Sequence, residues 1–178
     1  HLTVSDNYGT IFFLHPENKA RLYLTESVLR NNTGKNSALI TSYTNSKTFS
    51  IKNTFLSNDY VFGTILILQF VDFVGVSNTY IKNDGLYASI LYSQNPHQGF
   101  EVGARVYQNT ASPQGKMRPS TSLPKAGLYR LDVTTSFEFF ACEFRQNQVY
   151  SGLVTSYNSN VKFSHLKVID NPIFGISV

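Results

Sequence analysis

Four aspartates in this 178-residue chain have a side-chain type and a spacing that could support chemistry. Asp6, Asp59, Asp84 and Asp170 each fall in an Asn-rich or Asp-rich turn. Carboxylate oxygens are preferred ligands of Ca²⁺, so Asp59 and Asp84 would share a cation if their turns were stacked. The alternative is that Asp replaces Asn in a solvated turn. That alternative is favoured, because the 11 acidic residues do not group into a catalytic motif.

Other reactive side chains give little support for catalysis. The single cysteine, Cys142, excludes an intrachain disulfide and a Cys-based zinc site. The four histidines lack the spacing of metal ligands. Neither a glycine-rich phosphate loop nor a nucleophile elbow is present. The sequence therefore predicts a protein with no catalytic residues, no metal and no cofactor.

One possible N-glycosylation site and three tyrosine side chains suggest contacts to sugars. The only Asn-X-Thr acceptor sequence places Asn31 at a turn, where glycosylation is possible in a secreted protein. Tyr43, Tyr92 and Tyr157 each follow an apolar strand, and exposed rings there could stack on a glycan. Many of the phenylalanines, including Phe49, Phe137 and Phe139, fall at inward positions and are predicted to belong to the core.

A basic, proline-containing stretch interrupts the chain between Thr110 and Gly127. Its cations Lys116, Arg118 and Lys125 have no acid between them. They could meet an anionic glycan or a partner surface, although a solvated basic loop is the favoured interpretation. The stretch lacks apolar alternation, which predicts a loop projecting from the side of the domain.

Composition favours strands over helices. Charged residues make up 15 % of the chain, against about 25 % in typical domains, and there are 14 Phe and 11 Tyr but no Trp. The net charge of +4 is not arranged in a basic stripe, so no nucleic-acid partner is expected. No apolar run reaches the roughly 18 residues that a membrane span needs.

A repeat near 25 residues dominates the chain. Each copy has a stretch of alternating apolar residues, then a turn, then a second alternating stretch that ends in Asn or Asp. A further strand, such as Gly63 to Leu68, follows each copy. Copies begin at residues 22, 49, 74, 100, 137 and 161, giving intervals of 27, 25, 26, 37 and 24 residues. The clearest copy is Val74 to Gly85, VGVSNTYIKNDG. A repeat of this length with short strands indicates a solenoid.

These copies resemble the right-handed parallel β-helix repeat of pectate-lyase-like proteins and many large surface proteins. The resemblance implies an all-β, single-stranded right-handed parallel β-helix of about six to seven coils of ~25 residues. An antiparallel β-sandwich is the competing fold. The resemblance implies little about activity, because this fold hosts lyases, hydrolases, adhesins and inert scaffolds.

Stacked coils place equivalent residues above one another, about 4.8 Å apart. The alignment predicts a turn ladder in which Asn53 lies beneath Asn78 and Asp59 beneath Asp84, with Asn chosen for its amide and its tolerance of left-handed backbone. It also puts Cys142 in the inward position of Thr54 and Thr79, as a buried inert thiol, and His165 at a turn position held elsewhere by Asn.

Residues 1–178 are thus expected to form one β-helix domain, with a projecting loop at 110–127. The chain begins and ends in the same phase, HLTVSDN and HLKVIDN, which suggests a fragment of a longer solenoid. The predicted function is a non-enzymatic extracellular or cell-surface scaffold that stacks with like subunits or further coils in a filament. The alternative is a polysaccharide-binding or polysaccharide-degrading protein, either an enzyme or an adhesin.

Overall fold

Short strands joined by tight corners wind the chain into a parallel β-solenoid. The computed structural model describes residues 1–14, 21–35, 38–43, 46–60, 64–85, 88–111, 127–149, 152–172 and 176–177. These residues contain strands and turns and no helix, so the described part of the chain has no helical segment that could cross a membrane. Alternating apolar and polar residues put one face of each strand into the core.

The strands follow one another coil by coil. An incomplete first coil contains β1 (Thr3–Ser5) and β2 (Phe12–Leu14). Five complete coils follow: β3 (Arg21–Thr25), β4 (Val28–Arg30), β5 (Thr33–Gly34) and β6 (Ala38–Tyr43); β7 (Lys47–Ile51), β8 (Thr54–Leu56), β9 (Asp59–Tyr60) and β10 (Thr64–Gln69); β11 (Asp72–Val76), β12 (Thr79–Ile81), β13 (Asp84–Gly85) and β14 (Ala88–Gln94); β15 (Gly99–Val102), β16 (Arg105–Tyr107), β17 (Thr110–Ala111) and β18 (Gly127–Asp132); β19 (Phe137–Phe140), β20 (Glu143–Arg145), β21 (Gln148–Val149) and β22 (Gly152–Tyr157). The last, incomplete coil contains β23 (Val161–Ser164), β24 (Lys167–Ile169) and β25 (Ile176–Ser177).

Equivalent strands of successive coils pair in parallel and form four sheets. Sheet A runs β1-β4-β8-β12-β16-β20-β24, and sheet B runs β5-β9-β13-β17-β21. Sheet C runs β2-β6-β10-β14-β18-β22-β25, and sheet D runs β3-β7-β11-β15-β19-β23. Along a complete coil the chain visits sheets D, A, B and C in turn. A parallel solenoid is therefore confirmed over a β-sandwich.

The strand register corrects the coil count and part of the sequence alignment. Five coils are complete, rather than six to seven. In sheet D, Tyr23, Phe49, Val74, Phe100, Glu138 and Lys162 pair in succession, which gives coil lengths of 26, 25, 26, 38 and 24 residues. The predicted copies beginning at residues 22, 137 and 161 are therefore each one residue too early. A one-residue slip moves a side chain to the opposite face of a strand.

Left-handed residues make the corners. At the corner between sheets D and A, Lys52 and Ser77 have φ of 54° and 53°. At the corner between sheets A and B, Asn31 and Lys82 have φ of 53° and 52°. The residue after each of these turns inward, and neither Asn53 nor Asn78 has positive φ. Asn53 and Asn78 are therefore suited to the ladder by their amides and not by tolerance of left-handed backbone, so the second part of the predicted reason is wrong for these two residues.

Aromatic and aliphatic side chains fill the interior in columns. Phe55 stacks on Tyr80 with ring centroids 5.1 Å apart, and Phe139 stacks on Phe163 at 5.3 Å. Tyr129 meets Phe139 edge-to-face at 4.9 Å. Each coil buries too little apolar surface alone, so stacking supplies the core that fixes the corner geometry.

Candidate functional site

Two columns of buried amides run along the corners of the solenoid. The longer one, here called the long ladder, lies between sheets A and B. It consists of Asn7, Asn32, Asn58, Asn83, Asn109, Asn147 and Asn171. All of its members except Asn7 are buried. The sequence alignment missed this column, although the recurring pair Asn-x₄-Asn, as in Asn78 and Asn83, could have signalled it.

The five interior rungs of the long ladder, between Asn7 and Asn171, share one set of contacts, and Asn58 illustrates it. Asn58 donates its backbone N–H and its Nδ2 to Asn83 Oδ1, at 3.1 and 2.9 Å. The same Nδ2 donates to the carbonyl of Leu29 in the preceding coil, at 3.0 Å. Asn58 Oδ1 in turn accepts the backbone N–H of Asn32 at 3.1 Å, so the amide satisfies a buried N–H and a buried carbonyl of the preceding coil. The bonds to the amide oxygens all point one way along the axis, from a donor in one coil to an acceptor in the next, whereas the bonds to backbone carbonyls point back to the preceding coil.

The shorter column, between sheets D and A, contains the predicted ladder residues Asn53 and Asn78. Ser27 N–H donates to Asn53 Oδ1 at 2.9 Å, and Asn53 N–H donates to Asn78 Oδ1 at 3.1 Å. Thr79 pairs with Arg105 in register, so Ala104 is the residue equivalent to Asn78 in the next coil. Alanine has no side-chain amide. The column therefore changes its chemistry one coil after Asn78.

A buried glutamate takes over where the short column loses its amide. Glu101 is fully buried, and its Oε1 accepts from Asn78 Nδ2 at 3.3 Å. The Tyr80 hydroxyl donates to Glu101 Oε2, also at 3.3 Å. Gly75 makes room for the carboxyl, since a Cβ there would lie 2.5 Å from Glu101 Oε1. The inward charge at Glu101 and the glycine one coil earlier were the sequence signal for this arrangement.

The environment of Glu101 favours its neutral form. Burial raises the pKa of this carboxyl to about 8, although the hydrogen bonds from Asn78 and Tyr80 act in the opposite direction. Burial, with the nearby Glu101, also holds the pKa of the Tyr80 phenol well above its usual range. Tyr129 packs edge-to-face on Tyr80, and its hydroxyl has no hydrogen-bond partner among the described residues. This group of polar side chains is buried, so the protonation of Glu101 is coupled to the stability of the fold.

Cys142 lies in this same column, at the position of Asn53 and Asn78. The predicted equivalence with Thr54 and Thr79 is wrong, because those threonines align with Glu143. The thiol is buried and donates to the backbone carbonyl of Glu101 at 3.2 Å. Burial, with Glu101 nearby, raises the pKa of Cys142 to about 12.

The one-residue slip in the sequence alignment also gave His165 the wrong corner position. Its φ of 55° puts it in the left-handed corner position of Lys52 and Ser77, rather than in the Asn position. Leu166 takes the Asn position and packs against the core. The His165 ring contacts the Phe140 ring at 5.0 Å.

The predicted acidic residues divide between two places. Asp59 and Asp84 pair in register in sheet B, next to the long ladder but not in it. Asp6 and Asp170 occupy left-handed corner positions, with φ of 60° and 51°, at opposite ends of sheet A. Within the described residues, no group of three or more His, Cys, Asp or Glu side chains is placed to hold a metal ion.

The predicted partner and sugar contacts are also separated. Asn31 is an exposed corner residue whose Nδ2 donates to Asp6 Oδ1 at 3.3 Å. Tyr43 and Tyr157 lie in one column of sheet C, four coils apart, and Tyr92 lies in another column beneath Arg130. They do not form one surface cluster. Lys116, Arg118 and Lys125 lie outside the described residues, as does most of the predicted 110–127 loop.

The fold and these columns define an all-β parallel β-solenoid stabilised by internal amide ladders. No family model matches the chain, and no curated protein and no solved structure does either.

Proposed function

We propose that this chain is a structural scaffold module that extends by stacking further coils on its two open sheet edges. The further coils come from the same polypeptide or from like subunits in a filament or surface assembly. A kinship with the pectate-lyase-like superfamily belongs to the same proposal, and it rests on the coil architecture alone.

The observation that carries the proposal is the equal phase of the two incomplete coils. β1 and β24 are the outer strands of sheet A, and β2 and β25 are the outer strands of sheet C. Asn7 and Asn171 are the outer rungs of the long ladder. The strands β2 and β25 each begin five residues after that rung, at Phe12 and Ile176. The two partial coils therefore have the same phase and overlap in sheets A and C.

Ladder polarity makes the two edges complementary as donor and acceptor. Asn147 N–H donates to Asn171 Oδ1 at 2.9 Å, and each earlier rung donates in the same direction. A further coil above Asn171 would supply an acceptor, and Asn7 Oδ1 is the equivalent acceptor at the opposite edge. Such a head-to-tail contact does not close on itself, so it generates a linear assembly. Edge strands of this kind are templates for pairing.

A tandem fusion tests the proposal. Residues 1–171 are joined directly to residues 8–178, so that Tyr8 follows Asn171 and the two partial coils merge into one. The expected product is one rod, longer by six rungs or about 29 Å at ~4.8 Å per rung, with one cooperative unfolding transition. A matched control joins residues 1–171 to residues 10–178, which breaks the phase by two residues.

X-ray scattering and thermal unfolding distinguish the two fusions. The in-phase fusion should melt above the single chain, since it adds coil interfaces. The out-of-phase control should behave as two independent bodies. Two separate transitions in the in-phase fusion, or a scattering curve equal to that of the control, would overturn the scaffold proposal.

The extracellular or cell-surface setting is part of this proposal and is supported by Asn31. Its side chain is exposed at a corner, where a bulky glycan meets no core residue. Expression through a secretory pathway, followed by enzymatic removal of N-linked glycans, should lower the mass by one glycan. An Asn31→Gln variant should show no such change. Wild-type protein of unmodified mass after secretion would contradict this part of the proposal.

A further inference from the structure

We infer that the outer face of sheet D is a binding site for a neutral, extended oligosaccharide. The site is called here the aromatic track and consists of Tyr23, Phe49, Val74 and Phe100. These residues pair in register on four successive coils. They form a single file about 15 Å long, at ~4.8 Å per coil. The inference is independent of the scaffold proposal, because the track is on a side face and not at an edge.

The track is shaped and partly fixed. Tyr23 and Phe49 stack in parallel, with ring centroids 4.6 Å apart and an interplanar angle of 3°. Val74 is the small member of the file, so it floors a depression between the rings of Phe49 and Phe100. Tyr23 and Phe100 are 58 % and 36 % exposed. Because Tyr23 covers one face of the Phe49 ring, the opposite face, turned toward the depression at Val74, offers an apolar surface to the C–H face of a sugar.

One flank of the depression supplies polar groups of fixed geometry. Asp72 Oδ2 lies 3.4 Å from Lys47 Nζ, and Asp72 Oδ1 accepts the backbone N–H of Gln98 at 3.1 Å. The Gln98 side chain is exposed on the same rim. Lys47 and Asp72 balance in charge, so the rim presents hydrogen-bonding groups with no net charge. Apolar faces beside neutral donors and acceptors match sugar hydroxyls better than an anionic polymer.

The size of the face favours a slender ligand over a protein. The neighbouring column of Ile51, Val76, Val102 and Phe140 is also apolar. Even with that column, the strip measures roughly 20 by 13 Å from the strand spacings, or about 260 Å². A stable protein interface buries about 800 Å² on each partner. A sugar ring seated in the depression between Phe49 and Phe100, with its neighbours on the adjoining track, needs only this narrow surface.

Isothermal titration with neutral cellohexaose and mannohexaose, and with anionic hexagalacturonate, tests the inference. The full chain should bind at least one neutral probe with Kd of about 0.1–1 mM, and the anionic probe at least tenfold more weakly. Phe100→Ala and Phe49→Ala should each weaken that binding by about 3- to 10-fold, through loss of one stacked ring. Tyr157→Ala is the matched control, since it removes an exposed ring from sheet C, and it should leave binding unchanged.

Three results would overturn the inference. The first is no heat with either neutral probe at about 5 mM, well above the expected Kd. The second is equal binding of the wild type and both track variants. The third is dimerisation in sedimentation experiments that Phe100→Ala abolishes, which would assign the face to a second copy of the chain. Circular dichroism of each variant establishes that the folded solenoid is being compared. None of these results bears on the tandem fusion.

Discussion

Replacing Glu101 by Gln should make the solenoid more stable, and increasingly so as the pH rises. Gln has nearly the same shape, and its oxygen can accept from Asn78 while its Nε2 donates to the Tyr80 hydroxyl oxygen, but it cannot ionise. The native carboxyl is fully buried in the space left by Gly75. Ionising it there puts an unpaired charge into the core, which is costly.

The pH dependence follows from proton binding. Burial raises the pKa of Glu101 from 4.5 to about 8. Between these values the folded chain holds a proton that the unfolded chain has released, so the free energy of unfolding falls as the pH rises. The stabilising effect is fully present below pH 4.5 and is lost as the pH passes through about 8. At about 1.36 kcal/mol per pH unit, the loss is about 3 kcal/mol at pH 7 and about 5 kcal/mol above pH 8.

Urea unfolding followed by circular dichroism at pH 4.5, 7 and 8.5 measures this effect. The difference in free energy of unfolding between Glu101→Gln and wild type should grow by about 3 kcal/mol from pH 4.5 to 7. Glu138→Gln, which removes an outward carboxylate from the next coil of sheet D, is the control and should run parallel to wild type. If the Glu101→Gln and wild-type curves also stay parallel over this range, the carboxyl is not held neutral and the reasoning is refuted.

Three further predictions concern the ladders and the space around Glu101. Asn83→Ala should lower the free energy of unfolding by about 3–5 kcal/mol, since it strands buried donors of Asn58. Asn31→Ala at the surface should change it by less than about 0.5 kcal/mol, and equal effects in urea titrations would contradict the ladder argument. Gly75→Ala should cost about 2–4 kcal/mol by displacing the Glu101 carboxyl, and a calorimetric melt identical to wild type would refute that contact. Cys142 should react with a thiol reagent only after unfolding, because its thiol is buried and its pKa is about 12; rapid labelling of native protein would disprove its burial.

The repeat was predictable because stacking makes it visible in the chain. An inward position must be apolar in every coil, so alternation and interval could be read directly. The register was less accessible. The long ladder passes through Asn58 and Asn83, whereas the alignment followed Asp59 and Asp84, the last polar residue of each turn. In the coil of Asn32 the next residue is Thr33, and the pattern slipped by one. Neighbouring polar residues in a tight turn look alike until their backbone conformations are known.

The internal polar group was missed because its sequence signal is divided between two successive coils. Glu101 is buried only because Gly75 leaves space beneath it and Ala104 leaves Asn78 without its usual amide partner. Each of these residues, taken alone, looks like ordinary variation between the repeat copies. The aromatic track escaped prediction for a related reason. Phe49 has a place in the apolar alternation, so it was taken for a core residue, but the register puts it on the outer face beside Tyr23.

The unequal coil lengths have an engineering consequence. The coil beginning at Phe100 takes 38 residues to return to register, against 24 to 26 in the others, yet Asn109 still donates to Asn147 at 3.1 Å. The register of the long ladder is thus kept across the segment between Ala111 and Gly127, whatever its length. A foreign peptide inserted into that segment should therefore leave the neighbouring rungs unchanged.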